Sequence, residues 1–128
     1  MSHPTPEALE TGAQALLKDL AGKALKPKER MAIPAQEMPH QPADVRSRNF
    51  EEVALGYGPA QAKAEAMRCL QCKNAPCVEG CPVRIDIPGF VKAIAEGDDA
   101  RTITVIKQAS LLPAVCGRVC PQDRKSVV

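Results

Sequence analysis

Six cysteines carry the chemistry that this sequence could perform, and they fall in two runs: Cys69-x2-Cys72-x4-Cys77-x3-Cys81-Pro82 and Cys116-x3-Cys120-Pro121. A thiolate can form a disulfide, act as a redox dithiol, or ligate a soft metal. Residues 1–7 have neither a basic start nor an apolar run, so no secretory leader is expected there. That reading places the chain in the cytoplasm, where thiols stay reduced and grouped cysteines more often bind metal.

Spacing then separates the metals. Structural zinc sites often pair two C-x2-C units, and only Cys69-x2-Cys72 is present here. The two histidines, His3 and His40, lie far from the cysteines in sequence. A redox dithiol at Cys69 and Cys72 lacks the βαβ surroundings such sites use. A [4Fe–4S] cube instead needs several soft sulfur ligands spread about a bulky core, and closely spaced cysteines let one loop reach several corners. The bacterial ferredoxin run is C-x2-C-x2-C-x3-C-P. The present run keeps its first pair, its final spacing and its proline, and lengthens the middle gap. Proline turns the chain away without offering an N–H. Val78, Val83, Ile85 and Ile87 are candidates for a dry surround. A zinc-binding or docking module without redox function is the competing reading.

The elements that must position these cysteines read as helices. Aromatics are only 2% of the chain and 19 of the 128 residues are alanine, so the apolar material available for a core is thin. Metal is a common remedy in small domains of this kind. Residues 1–25 form a predicted helical arm, with Thr5 as cap and Pro6 in the first turn. Ala8, Leu9, Ala13, Leu16, Leu17 and Leu20 mark its apolar face, expected to pack on a neighbouring domain or subunit. Residues 26–58 read as an extended, proline-rich linker anchored by Phe50, Val53, Leu55 and Tyr57.

Residues 59–128 carry the cysteines. A helix from Pro59 to Leu70 is expected to deliver Cys69 and Cys72. Asp86 can cap a helix from about Pro88 to Glu96, with Phe90, Val91 and Ile94 buried and Gly97 as its stop. Asp98 can cap another to about Ala109, with Ile103 and Ile106 facing inward. The two Cys-x3-Cys-Pro segments suggest a local pseudo-repeat. No segment alternates as a strand, so the class is all-α with metal-organised loops.

Charge and hydropathy exclude other classes. Net charge is +2, with 7 basic and 8 acidic residues before residue 59 and 10 and 7 after it, too balanced for a nucleic-acid partner. No apolar run approaches the ~20 residues of a membrane span.

Four segments together point to a family: Asn49-Phe50-Glu51-Glu52-Val53-Ala54-Leu55-Gly56-Tyr57, Glu65-Ala66-Met67-Arg68-Cys69-Leu70-Gln71-Cys72-Lys73, the run from Cys77 through Ile85-Asp86-Ile87-Pro88 to Phe90, and Leu112-Pro113-Ala114-Val115-Cys116-Gly117-Arg118-Val119-Cys120-Pro121-Gln122-Asp123. They resemble the N-terminal region of the glutamate synthase small (beta) chain. They are similar also to the N-terminal domains of dihydropyrimidine dehydrogenase and of the ferredoxin–NADP transhydrogenase large subunit. The resemblance implies an α-helical ferredoxin-like domain with two [4Fe–4S] clusters. These would relay electrons between a flavin/NAD(P)H domain and a partner, such as the glutamate synthase large subunit, within an oxidoreductase. It assigns Cys69, Cys72 and Cys77 to one cluster, with a fourth ligand expected from beyond the end of this chain. Cys81 and Cys120 would share the second, and Cys116 would not be a regular ligand.

Two departures accompany it. After Pro121-Gln122-Asp123-Arg124 the family continues with two more cysteines, whereas this chain reads Lys125-Ser126-Val127-Val128. No G-x-G-x-x-G loop occurs. The expectation is therefore a C-terminally truncated domain without its FAD and NAD(P)H domains and without catalysis of its own. It would hold at most one stable cluster, or recruit Cys116 as a substitute ligand.

Overall fold

A computed structural model describes residues 4–120. Pro121 and the residues after it lie outside the described region. Among the described residues the regular structure is helical, and the one β feature is an isolated antiparallel bridge between His40 and Ala54. The all-α expectation holds. Contacts divide the chain into two compact units between Arg68 and Cys69.

The first unit contains α1 (Pro6–Leu20), α2 (Pro27–Ala32), α3 (Ala43–Arg46) and α4 (Pro59–Met67). Thr5 Oγ1 accepts from the Ala8 N–H at 3.3 Å, and Pro6 occupies the first turn, so α1 starts as its sequence dictates. Its apolar stripe packs on α4 of the same unit. Ala13, Ala60 and Ala64 are buried at that contact, and Leu16 and Leu17 flank it. Small side chains let the two helix backbones approach closely. The α1 stripe thus finds its partner within the first unit. In the same way α4, grouped by sequence with the cysteines, packs on the arm instead.

Helix α4 has Gly58 as its N-cap, which has no side chain to offer. Glu10 of α1 supplies the missing acceptor: its carboxylate takes the backbone N–H groups of Ala60 at 2.8 Å and Gln61 at 3.2 Å. Gln61 is buried with both ends of its amide bonded, Nε2 donating to the Glu37 carbonyl at 2.9 Å and Oε1 accepting from the Gly58 N–H at 3.3 Å.

Residues 26–58 are more structured than an extended linker. They hold α2, α3 and the bridge at residue 40, flanked by the Gln41 N–H to Val53 carbonyl bond at 2.9 Å and the Leu55 N–H to Pro39 carbonyl bond at 2.8 Å. Polar groups tie this stretch to α4: Arg30 Nη1 donates to the Met67 carbonyl at 3.0 Å, and the Gln36 N–H donates to Glu65 Oε2 at 2.9 Å. The predicted apolar anchors do not serve that purpose. Phe50, Val53 and Leu55 are exposed, and Tyr57 holds through its hydroxyl, which donates to the Gln36 carbonyl at 3.0 Å. Buried Ile33 does the apolar work here.

The second unit contains α5 (Pro76–Gly80), α6 (Ile87–Glu96), α7 (Asp99–Lys107) and α8 (Pro113–Val119). Asp86 Oδ1 accepts from the Gly89 N–H at 3.0 Å to open α6. Gly97, at φ 79°, closes it in the left-handed conformation. The Asp98 N–H reaches the Ala93 carbonyl at 2.9 Å and the Gly97 N–H reaches the Ile94 carbonyl at 3.0 Å, a Schellman closure. Asp98 Oδ1 then accepts from the Arg101 N–H at 2.9 Å and starts α7. Helices α6 and α7 pack as a hairpin with Ala93 fully buried. Phe90, Val91, Ile94 and Ile106 are half-buried, whereas Ile103 is exposed.

Candidate metal centre

The cysteine-bearing elements are short helices with one construction. Pro76 starts α5 and Pro113 starts α8, each at the first helical position where a missing N–H costs nothing. Each helix carries one cysteine within it, Cys77 or Cys116, and ends on a second, Cys81 or Cys120. Cys81 has φ −84° and ψ 120°, and Cys120 has φ −63° and ψ 124°, both extended rather than helical. The cause is the next residue. Pro82 and Pro121 clash with a helical backbone at the preceding position and push it out to the β region. Four-residue spacing on a helix also puts the two sulfurs of each pair on one face. The pseudo-repeat in sequence is thus a repeated helix-and-cap in structure.

These four cysteines line one cavity of about 600 Å³. Its walls are otherwise apolar, with Ile85, Ile87, Phe90 and Ile106 among them. Ile85 and Ile87 play the sheltering part expected of them, whereas Val83 is exposed and Val78 lies off the cavity. Cys69 and Cys72 do not join the cavity wall. They sit on the loop between Arg68 and α5, not on α4, whose helix stops at Met67.

The surroundings of Cys81 favour a thiolate. The backbone amide of Ile85 bonds its sulfur and holds the thiol below its ordinary range; partial burial pushes the other way, and the amides of Val83 and Arg84 reinforce the lowering. Arg84 makes this possible. At φ 53° it is left-handed, and its N–H also reaches the Cys81 carbonyl at 2.9 Å, so successive amides turn to one side. Cys116 has a different neighbour, the buried Ser110, whose Oγ stands 3.6 Å from its Sγ. On the other loop, Gln71 Nε2 donates to Cys69 Sγ at 3.4 Å. Sequence reading singled out none of Arg84, Ser110 and Gln71. A non-glycine residue in left-handed backbone leaves no signature in composition or spacing.

The donor set fits an iron–sulfur cube. The cavity offers soft sulfur and apolar wall, with no carboxylate or imidazole among its lining residues. A single zinc ion draws its thiolates to about 2.3 Å from one point. Among the described residues no three Cys, His, Asp or Glu side chains converge that way. Thiols on an apolar wall are the donor type that such a cluster takes.

Residues 46–126 match the family model described as dihydropyrimidine dehydrogenase domain II, 4Fe-4S cluster. The chain belongs to this 4Fe–4S domain family. The glutamate synthase [NADPH] small chain of Escherichia coli is 43% identical over 86 residues, covering 67% of this chain and 18% of that protein. The corresponding protein of Halomonas elongata is 40% identical over 89 residues, 70% of this chain and 19% of that protein. The NAD-dependent dihydropyrimidine dehydrogenase subunit PreT of Salmonella typhimurium is 36% identical over 75 residues, 59% of this chain and 18% of that protein. The matched region thus spans less than a fifth of these relatives. Membership makes [4Fe–4S] the cofactor class of the domain, and the resemblance read from the cysteine motifs holds. Among the described residues no helix is long and apolar enough to cross a membrane.

Proposed function

We propose that this chain is an electron-relay module of a glutamate-synthase-like oxidoreductase. It would pass electrons between a flavin/NAD(P)H domain and a redox partner such as a large subunit. The relatives, a glutamate synthase small chain and a dihydropyrimidine dehydrogenase subunit, support an oxidoreductase setting with a partner. The observation that carries the reading is the apolar cavity walled by the helix-ending cysteines Cys81 and Cys120.

Cys69, Cys72 and Cys77 are assigned to one cluster, and Cys81 with Cys120 to a second; Cys116 lies on the cavity wall without an assigned cluster. When bound, a [4Fe–4S] cluster supplies one-electron transfer and no group chemistry. The chain's own residues do the rest. The amides of Ile85, Val83 and Arg84 stabilise negative charge on the Cys81 sulfur. Ile85, Ile87, Phe90 and Ile106 limit water at the cavity and lower its local dielectric.

Anaerobic purification followed by assay of iron, acid-labile sulfide and zinc tests the reading. Iron and sulfide in equal amounts, with the brown visible band of a cube, are expected. Zinc bound stoichiometrically without sulfide overturns the relay and leaves a zinc-holding docking module. Cys81→Ser and Cys120→Ser are each expected to reduce cluster content.

A further inference from the structure

Between Cys69 and Cys72 the backbone takes an unusual turn. Gln71 sits at φ 53°, in the left-handed region that side-chain-bearing residues rarely adopt. Such strain persists only where the surroundings impose it. Here the side chain provides a reason. Its amide Nε2 donates both to Cys69 Sγ at 3.4 Å and to the Pro88 carbonyl, in the first turn of α6, at 3.1 Å. A primary amide has two N–H groups, so the two bonds are made together. One side chain therefore fastens the cysteine loop to α6 and places a donor against a cysteine sulfur.

We infer that Gln71 is a positioning residue that raises the reduction potential of the cluster held by Cys69. The inference rests on the assignment of Cys69 as a ligand. A reduced cluster carries one more negative charge, shared with its thiolates. An N–H donated to a ligand sulfur therefore stabilises the reduced state more than the oxidised one, and the potential rises. The Pro88 carbonyl holds the amide in place, so the donor need not be reorganised on each electron transfer.

The test uses the full chain, reconstituted anaerobically, with Gln71→Leu and Gln71→Gly. Leucine keeps bulk without a donor; glycine also accepts the left-handed backbone without strain. Both variants are expected to keep wild-type iron and sulfide and to lower the midpoint potential of one cluster in an EPR-monitored titration. An unchanged midpoint in either overturns the inference. Cluster loss in both overturns it as well, since the side chain would then only brace the loop. Cys69→Ser is the control for the underlying assignment: if it leaves iron, sulfide and the EPR signal untouched, the ligand reading fails, whatever the Gln71 variants do.

Discussion

Cys81 and Cys120 occupy equivalent positions: each is the C-cap of a short proline-started helix, and each turns its backbone from helical to extended directly before a proline. The equivalence makes proline, a residue with no ligand atom, part of the construction. Its steric demand on the preceding residue ends the helix on the cysteine and not one residue later. Replacing Pro82 by alanine removes that demand and lets α5 continue through Cys81. The expected result is cluster retention about 10-fold weaker, the lower end for loss of a group that orients a metal ligand. Iron release to a chelator, compared between wild type and Pro82→Ala, checks it. Equal release rates would count against a role for proline in placing the sulfur.

The lowered Cys81 thiol gives a prediction for the metal-free chain. Thiolate, not thiol, is the nucleophile, so Cys81 is expected to alkylate at lower pH than an ordinary thiol of 9.0. The linkage sign follows from the same shift. Between the folded and unfolded values the unfolded chain holds a proton that the folded chain has released, so stability rises with pH through that window. The contribution is complete above the ordinary thiol value and is lost as pH falls through the folded one. Iodoacetamide rates against pH, resolved by peptide mass, locate the inflection. Arg84→Pro, which removes the Arg84 amide and cannot adopt the left-handed turn, is expected to move the inflection up.

Gly97 closes α6 at φ 79°, where an L side chain is strained. Gly97→Ala is expected to destabilise the α6–α7 hairpin by about 1 kcal/mol. Urea unfolding of the metal-free chain, read by circular dichroism, measures it. Because α6 and α7 contribute Phe90 and Ile106 to the cavity wall, the variant should also retain a reconstituted cluster for a shorter time.

Much of the frame was legible because caps are local. Thr5, Asp86, Gly97 and Asp98 act within a few residues of themselves, and sequence placed each of them correctly. The cluster class was legible too, because cysteine spacing and the Cys-Pro steps are written along the chain. What sequence could not show are contacts between distant residues. The apolar stripe of α1 implies a packing partner, but that this partner is α4, some fifty residues away, no periodicity reveals. Phe50 is an anchor by residue type alone, and it is fully exposed. The parts of Gln71 and Arg84 depend on left-handed backbone, and neither residue type advertises it. The cavity joined Cys116 to Cys77, Cys81 and Cys120, a grouping that spacing alone did not show.

The most distant of those contacts also yields a clean stability test. The Glu10 carboxylate caps α4 from another helix, accepting from Ala60 and Gln61, and a Cβ added at Gly58 would collide with that carboxylate. Two changes should therefore act on one interaction. Glu10→Ala deletes the acceptor and leaves two helix-terminal N–H groups to water, an expected loss of about 1 kcal/mol. Gly58→Ala displaces the carboxylate and should cost a similar amount while leaving Glu10 in place. If both act through the cap, the double variant loses less than the two singles added together, because the interaction can be broken only once. Urea denaturation of the four chains completes the cycle; strict additivity would show that Glu10 and Gly58 contribute independently.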